Sequence, residues 1–192
     1  MRDDNALRFL RSRRSVPAAQ LQMPGPTPEE LREIVATAIR VPDHGKLTPW
    51  RLVAVTGDAG ARYGEALAAL HVRVDPGVPA AKVAKDRDRF AHSPVVLAVV
   101  ARIDEHHPKI PAQEQLLSAG CVAFSLLLAA QAAGFAAQWL TGWSCYDRNA
   151  ATLLGLADNE RAIAYVHIGS RGEEPPERNR PDIDQVLSAW RG

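Results

Sequence analysis

Apolar residues along this chain change their spacing several times, and each change marks an element. Leu7 and Leu10 fall on one side of a stretch ringed by arginines, which predicts a short helix over residues 3–11. Residues 16–26 hold Pro17, Pro24, Gly25 and Pro26 and read as a loop. Thr27 then begins a helix, with Pro28 at its first position and Glu30 at capping-box spacing. Leu31, Ile34, Val35 and Ala38 carry it at core-facing intervals to Arg40, and Pro42 ends it. A strand follows over residues 50–56 and stops at the turn signal Gly57-Asp58, before a helix over residues 59–70.

A polar helix is expected over residues 80–90, and the unbroken apolar run 94–101 reads as a strand covered on both faces. Residues 112–133 form the longest predicted helix. It is apolar almost all round, which places it in the core or at a subunit interface. Strands over 135–141 and 161–169 flank a short helix near 148–154. The last stretch, 170–192, holds Pro175, Pro176 and Pro181 and reads as an extended arm. Helices dominate over four or five strands, so the fold class is α+β with three α/β/α layers.

The chain's 192 residues suit one domain, spanning 1–192 with the arm included. It carries 23 basic against 22 acidic residues, a net charge of +1, which excludes a strongly basic nucleic-acid binder and a highly charged disordered tail. Two cysteines, Cys121 and Cys145, make neither a disulfide framework nor a zinc site, and they fit a reducing cytoplasm. Asp3 and Asp4 near the start, without an apolar run, argue against an export leader. Residues 116–146 lack Asp, Glu, Lys and Arg, yet Gly120, Gln131, Gly134 and Gln138 interrupt them. A buried helix followed by a buried strand explains that interval better than a membrane span.

Dinucleotide-binding, P-loop, zinc-protease and serine-hydrolase motifs are all missing from the sequence. Glu105-His106-His107 reads as an exposed loop rather than a metal cluster, and Cys121 as a small core residue. Arg13-Arg14-Ser15 has two readings: arginines that complement a helix end, or guanidinium forks and a hydroxyl gathered for an anion. Arg40-Val41-Pro42-Asp43-His44, continuing to Pro49-Trp50, is a proline-bracketed loop of the kind that carries binding residues, although Asp43 and His44 also suit a solvated turn. Trp139, Gly142 and Trp143 make an aromatic corner that suits either a core or a planar ligand. Arg178 and Arg180 add a basic group on the arm, which solubility alone would explain.

Taken in order, these pieces resemble the nitroreductase family of FMN flavoproteins, in its compact YdjA-like branch. The resemblance rests on Arg13-Arg14-Ser15, on Arg40-x-Pro42-Asp43-His44 with Pro49-Trp50, on Glu114-x-x-x-Ser118-Ala119-Gly120-Cys121, and on Gly134-Phe135 leading to Trp139 and Thr141. It implies a central, mainly antiparallel sheet wrapped by helices in an intertwined homodimer, with FMN in two clefts between the subunits. It further implies that Arg13, Arg14 and Ser15 meet the FMN phosphate and its neighbouring polar groups. Arg40 and His44 would contact the flavin, His44 from the other subunit. Trp139, Leu140 and Thr141 would line the flavin, residues 129–134 would face the nicotinamide, and Arg178 or Arg180 would reach the phosphate. NADH or NADPH would donate electrons and a nitroaromatic, quinone or related small molecule would accept them, with the acceptor pocket built from variable loops such as 71–85. No side chain is expected to be catalytic, because the hydride chemistry belongs to the flavin.

Two departures stand out against that pattern. Many members carry a basic residue shortly after the Arg-Arg-Ser element, whereas Val16, Pro17, Ala18 and Ala19 supply none. Leu140 also stands where some of the branch have arginine. Both remove positive charge that would stabilise an anionic reduced flavin. A flavin-binding or flavin-consuming relative without NAD(P)H reductase activity, and an interaction module that uses its arginines on an acidic partner, are the alternatives.

Overall fold

A computed structural model describes residues 2–192. Helix α1 (Asp4–Ser12) starts at Asp3, whose carboxylate accepts from the backbone N–H groups of Asn5 and Ala6. Helix α2 (Pro28–Ala38) has the capping box predicted for it: Thr27 Oγ1 accepts from Glu30 N, and Glu30 Oε2 accepts from Thr27 N. Strand β2 (Trp50–Thr56) leads into α3 (Asp58–Val74), α4 (Ala80–Ala91) and β3 (Val95–Arg102). The long helix α5 (Ala112–Ala132) ends at Gly134, whose φ of 86° reverses the chain into β4 (Ala136–Leu140). A short α6 (Arg148–Leu153), the long β5 (Glu160–Arg171) and one turn of helix, α7 (Ile183–Val186), complete the chain.

The expected loop over 16–26 contains a two-residue strand, β1 (Leu21–Gln22), paired with the end of β5. So short a strand leaves no alternation to read. Helix α3 runs to Val74 and α4 starts at Ala80, so the segment 71–85 is mostly helical rather than a variable loop.

Every strand pair is antiparallel. Strand β5 is central, with β3 on one edge and β4 on the other, and β2 lies outside β3. Because side chains alternate, β3 feeds two cores. Val95, Leu97 and Val99 pack with Ile34, Val122 and Leu126 of α2 and α5. Val96, Ala98 and Val100 pack with Leu67, Phe90 and Tyr165 on the side of α3 and α4. These are the three layers that the continuous apolar run predicts.

Helix α5 has two characters along its length. Val122, Ala123, Leu126 and Ala130 are fully buried against the sheet, while Leu117 is 60% and Phe124 47% exposed. Cys121 is exposed as well, which corrects its reading as a core residue. It sits one helical turn from Leu117 and from Phe124, on the face the sheet does not cover. Among the described residues α5 is the one helix long and apolar enough to cross a membrane, and half of it is buried within this fold.

Candidate functional site

The chain leaving α1 runs along the outer edge of β4. Val16 N donates to Ala137 O at 3.2 Å, and Ala18 N donates to Gln138 Oε1 at 2.6 Å. Ser12 at the end of α1 is tied to the end of α5, its Oγ accepting from Gln131 Nε2. These bonds fix the intervening Arg13, Arg14 and Ser15 beside the start of β4.

Both readings of the two arginines find support in the geometry. Arg14 Nη1 donates to the carbonyls of Arg11 and Arg13 and so closes the helix end. Its other terminal nitrogen pairs with the Glu177 carboxylate, which also takes Arg180 Nη2 at 3.0 Å. Arg13 Nη1 donates to Ser15 Oγ at 3.2 Å. Burial, then the positive charges of Arg180, Arg14 and Arg178, hold the Arg13 guanidinium below its usual pKa. Residues far apart in sequence thus build one concentration of positive charge, and the Glu177 carboxylate stands in it as an internal anion.

Along β4 from this cluster lies an open cleft of about 540 Å³, walled by Pro17, Ala18, Ala19 and Leu140 and reached by Thr141. Trp139 is exposed on β4. Trp143 belongs elsewhere: its ring lies 4.4 Å from that of His71, and its Nε1 donates to Asp86 Oδ2 at 2.7 Å. Asp86 is buried and also meets His71 Nδ1 at 2.5 Å, so this triad joins α3, α4 and the turn after β4. The aromatic corner therefore divides: Trp143 makes a structural tie, while Trp139, which alternates with Gln138 and Leu140 along β4, lies on the face away from the cleft those two residues line. Asp86 gave no sign of this in the sequence, where it is one charge on a polar helix.

The loop after α2 occupies a different place. Ser118 Oγ donates to Pro42 O at 2.8 Å, Trp50 Nε1 donates to Ser118 Oγ at 3.3 Å, and His44 Nδ1 meets Glu114 Oε2 at 2.6 Å. Lys46 and Thr48, at φ of 55° and 49°, are the non-glycine residues with positive φ among those described. Thr48 N donates to Asp43 Oδ2 at 2.8 Å, which holds that conformation within the loop. Arg40 and His44 are both exposed there, beside the start of α5, whereas Ser12 marks the arginine cluster at Gln131. Glu114 and Gln131 stand about 25 Å apart along the helix at 1.5 Å per residue. Within one chain the two groups of candidate residues therefore lie at opposite ends of α5 and are not brought together.

His107 Nδ1 accepts from the backbone of Lys109 and Ile110, a turn rather than a metal ligand set. Among the described residues no group of three or more His, Cys, Asp or Glu is placed to hold a metal.

The nitroreductase family model matches residues 10–170. This chain belongs to that family. A relative from Haemophilus influenzae named "Putative NAD(P)H nitroreductase" is 37% identical over 94% of this chain and 95% of its own. Escherichia coli YdjA, named in the same way, is 30% identical over 86% of this chain and 88% of its own. In structure, a Bacteroides fragilis nitroreductase with bound FMN superposes with a TM-score of 0.71 at 19% identity, covering 98% of this chain and all of the other. The nitroreductase fold expected from the YdjA-like motifs is the fold observed.

Proposed function

We propose that this nitroreductase-family chain is an FMN-dependent NAD(P)H oxidoreductase that reduces nitroaromatic, quinone or related small acceptors. The observation that carries this reading is the gathering of Arg13, Arg14, Arg178 and Arg180 beside Ser15, next along β4 from a cleft that Pro17, Ala18, Ala19 and Leu140 wall on one side. The residues fit the cofactor: a phosphate of about −2 charge calls for guanidinium and hydroxyl donors. Arg13, Arg14 and Ser15, with Arg178 or Arg180 from the arm, would hold that phosphate in place of the Glu177 carboxylate. Pro17, Ala18, Leu140 and Thr141 would border the ring. Bound FMN supplies the hydride chemistry between nicotinamide and acceptor, so no side chain needs to act as nucleophile or general acid.

The working unit in this reading is a homodimer. Leu117, Cys121 and Phe124 leave an apolar stripe open on α5, and the arm exposes Ile183, Val186, Leu187 and Trp190. Two α5 helices crossing antiparallel about a two-fold axis would bring Arg40 and His44 of one protomer toward the arginine cluster of its partner. Free Cys121 and Cys145 suit the cytoplasm.

Purified protein should be yellow and should release FMN, not FAD, on denaturation. Rapid mixing with NADH or NADPH should bleach the bound flavin. Failure of both donors to bleach it would favour a flavin-binding relative without reductase activity, and a colourless protein that takes up no FMN would overturn the reading.

A further inference from the structure

The cleft beside Leu140 and Thr141 receives positive charge from an element that contributes nothing to the arginine cluster. Helix α4 presents Lys85, Arg89 and the exposed carboxylate of Asp88 to it, opposite Ala18 and Leu140, so its two cations outnumber its one anion there. Lys85 is exposed, but Arg89 is half-buried and held in place. Its Nη1 donates to Thr141 O at 3.5 Å, and a Cβ at position 142 would stand 3.0 Å from that nitrogen, so Gly142 leaves room for the guanidinium to cross. Among the described residues Arg89 forms no ion pair, while its neighbour Arg87 faces α3 and meets Glu65 at 2.8 Å. The charge is felt inward too: it acts to lower the pKa of Cys145 and of Tyr165, two buried groups that desolvation pushes up.

A flavin ring that accepts a hydride gains one negative charge, and a fixed cation beside it favours that form over the oxidised one. Residues 16–19 and Leu140 bring no charge to these walls. We propose that Arg89 is the residue that stabilises the reduced flavin here, entering the cleft from α4. The inference rests on the FMN reading above and adds the residue that tunes the cofactor's potential.

The test is a potentiometric titration of bound FMN, with dissociation constants for the oxidised and reduced forms, in the parent and four variants. Arg89→Gln should reduce the preference for reduced FMN about tenfold, which lowers the midpoint potential by about 30 mV for a two-electron couple. Oxidised FMN should bind within about twofold of the parent. Arg89→Lys should restore most of the potential, and adding Leu140→Arg to Arg89→Gln should raise it again from the opposite wall. Arg87→Gln should change nothing. A parental potential in Arg89→Gln would overturn the inference while leaving the FMN reading intact. Equal losses of oxidised and reduced binding that Arg89→Lys does not repair would overturn it as well, leaving Arg89 a purely structural contact to Thr141. A parent protein that binds no FMN would overturn both.

Discussion

Arg13 differs from its arginine neighbours in its surroundings more than in its chemistry. It is partly buried, bonded to Ser15 and surrounded by three further guanidinium groups, whereas Arg2 is exposed beside Asp4. A charge-assisted hydrogen bond to phosphate contributes about 1.5–3 kcal/mol. Arg13→Ala and Arg180→Ala should therefore each weaken FMN binding by roughly ten- to a hundredfold, since a decade of affinity is about 1.4 kcal/mol. Arg2→Ala should match the parent in the same fluorescence titration. Glu177→Gln should act in the opposite direction, because it removes the carboxylate that competes for Arg14 and Arg180.

Where strands β2, β3 and β5 come together, one carboxylate joins them. Glu160 is buried and accepts from Arg51 Nε at 2.7 Å, Arg102 Nε at 2.9 Å and Ala157 N at 3.0 Å. The hydrogen bond from Arg51, opposed by burial and helped by Ala157 and Arg102, lowers its pKa to about 2. Stability from this clamp is thus fully present above the unfolded carboxyl value and is lost as pH falls toward 2. Glu160→Gln should cost about 2–3 kcal/mol at pH 7, with the gap to the parent closing below about pH 4.5 in thermal melts.

Elements of this kind were legible where local chemistry and burial agree. The Thr27-Pro28-Glu30 start, the strand Trp50–Thr56 and the apolar run of β3 all follow from the sequence because capping and two-sided burial leave strong patterns. Strand β1 and the Asp86 triad were invisible, since each depends on partners distant in sequence. Helix α5 shows both cases. Its apolar circumference marked it as central, but a hydrophobic face against the sheet and one open to a partner look alike in a string of Ala and Leu. The exposure of Cys121 on the open face therefore leaves no mark in the sequence. Arg13, Arg14 and Ser15 stand out in the sequence as candidate anion ligands, the resemblance adding the FMN phosphate, whereas Arg89 is one of several charges on a polar helix and only the fold sets it apart.

For the assembled molecule, the open stripe on α5 makes Phe124→Asp the most informative lesion. A charge placed in a buried apolar interface is strongly disfavoured, so light scattering should find the parent dimeric and this variant monomeric, with FMN lost alongside. Parental protein that stays monomeric at micromolar concentration would refute the dimer. Kinetics probe the same arrangement: one cleft per flavin leaves room for donor or acceptor in turn, so double-reciprocal plots should be parallel. Intersecting lines would reveal a ternary complex.

The separation of the two groups of candidate residues along α5 has a genetic consequence. If each flavin is held by Arg13 of one protomer and His44 of the other, Arg13→Ala and His44→Ala lesions lie in trans to one another. Refolding the two defective proteins together gives mixed dimers in which both lesions fall in the same cleft and the second cleft is unaltered. With random pairing, about a quarter of all clefts should regain parental FMN affinity, although neither variant alone has any. Two alleles that each fail should then complement when expressed in one cell, as no pair of lesions confined to a single subunit's site can do.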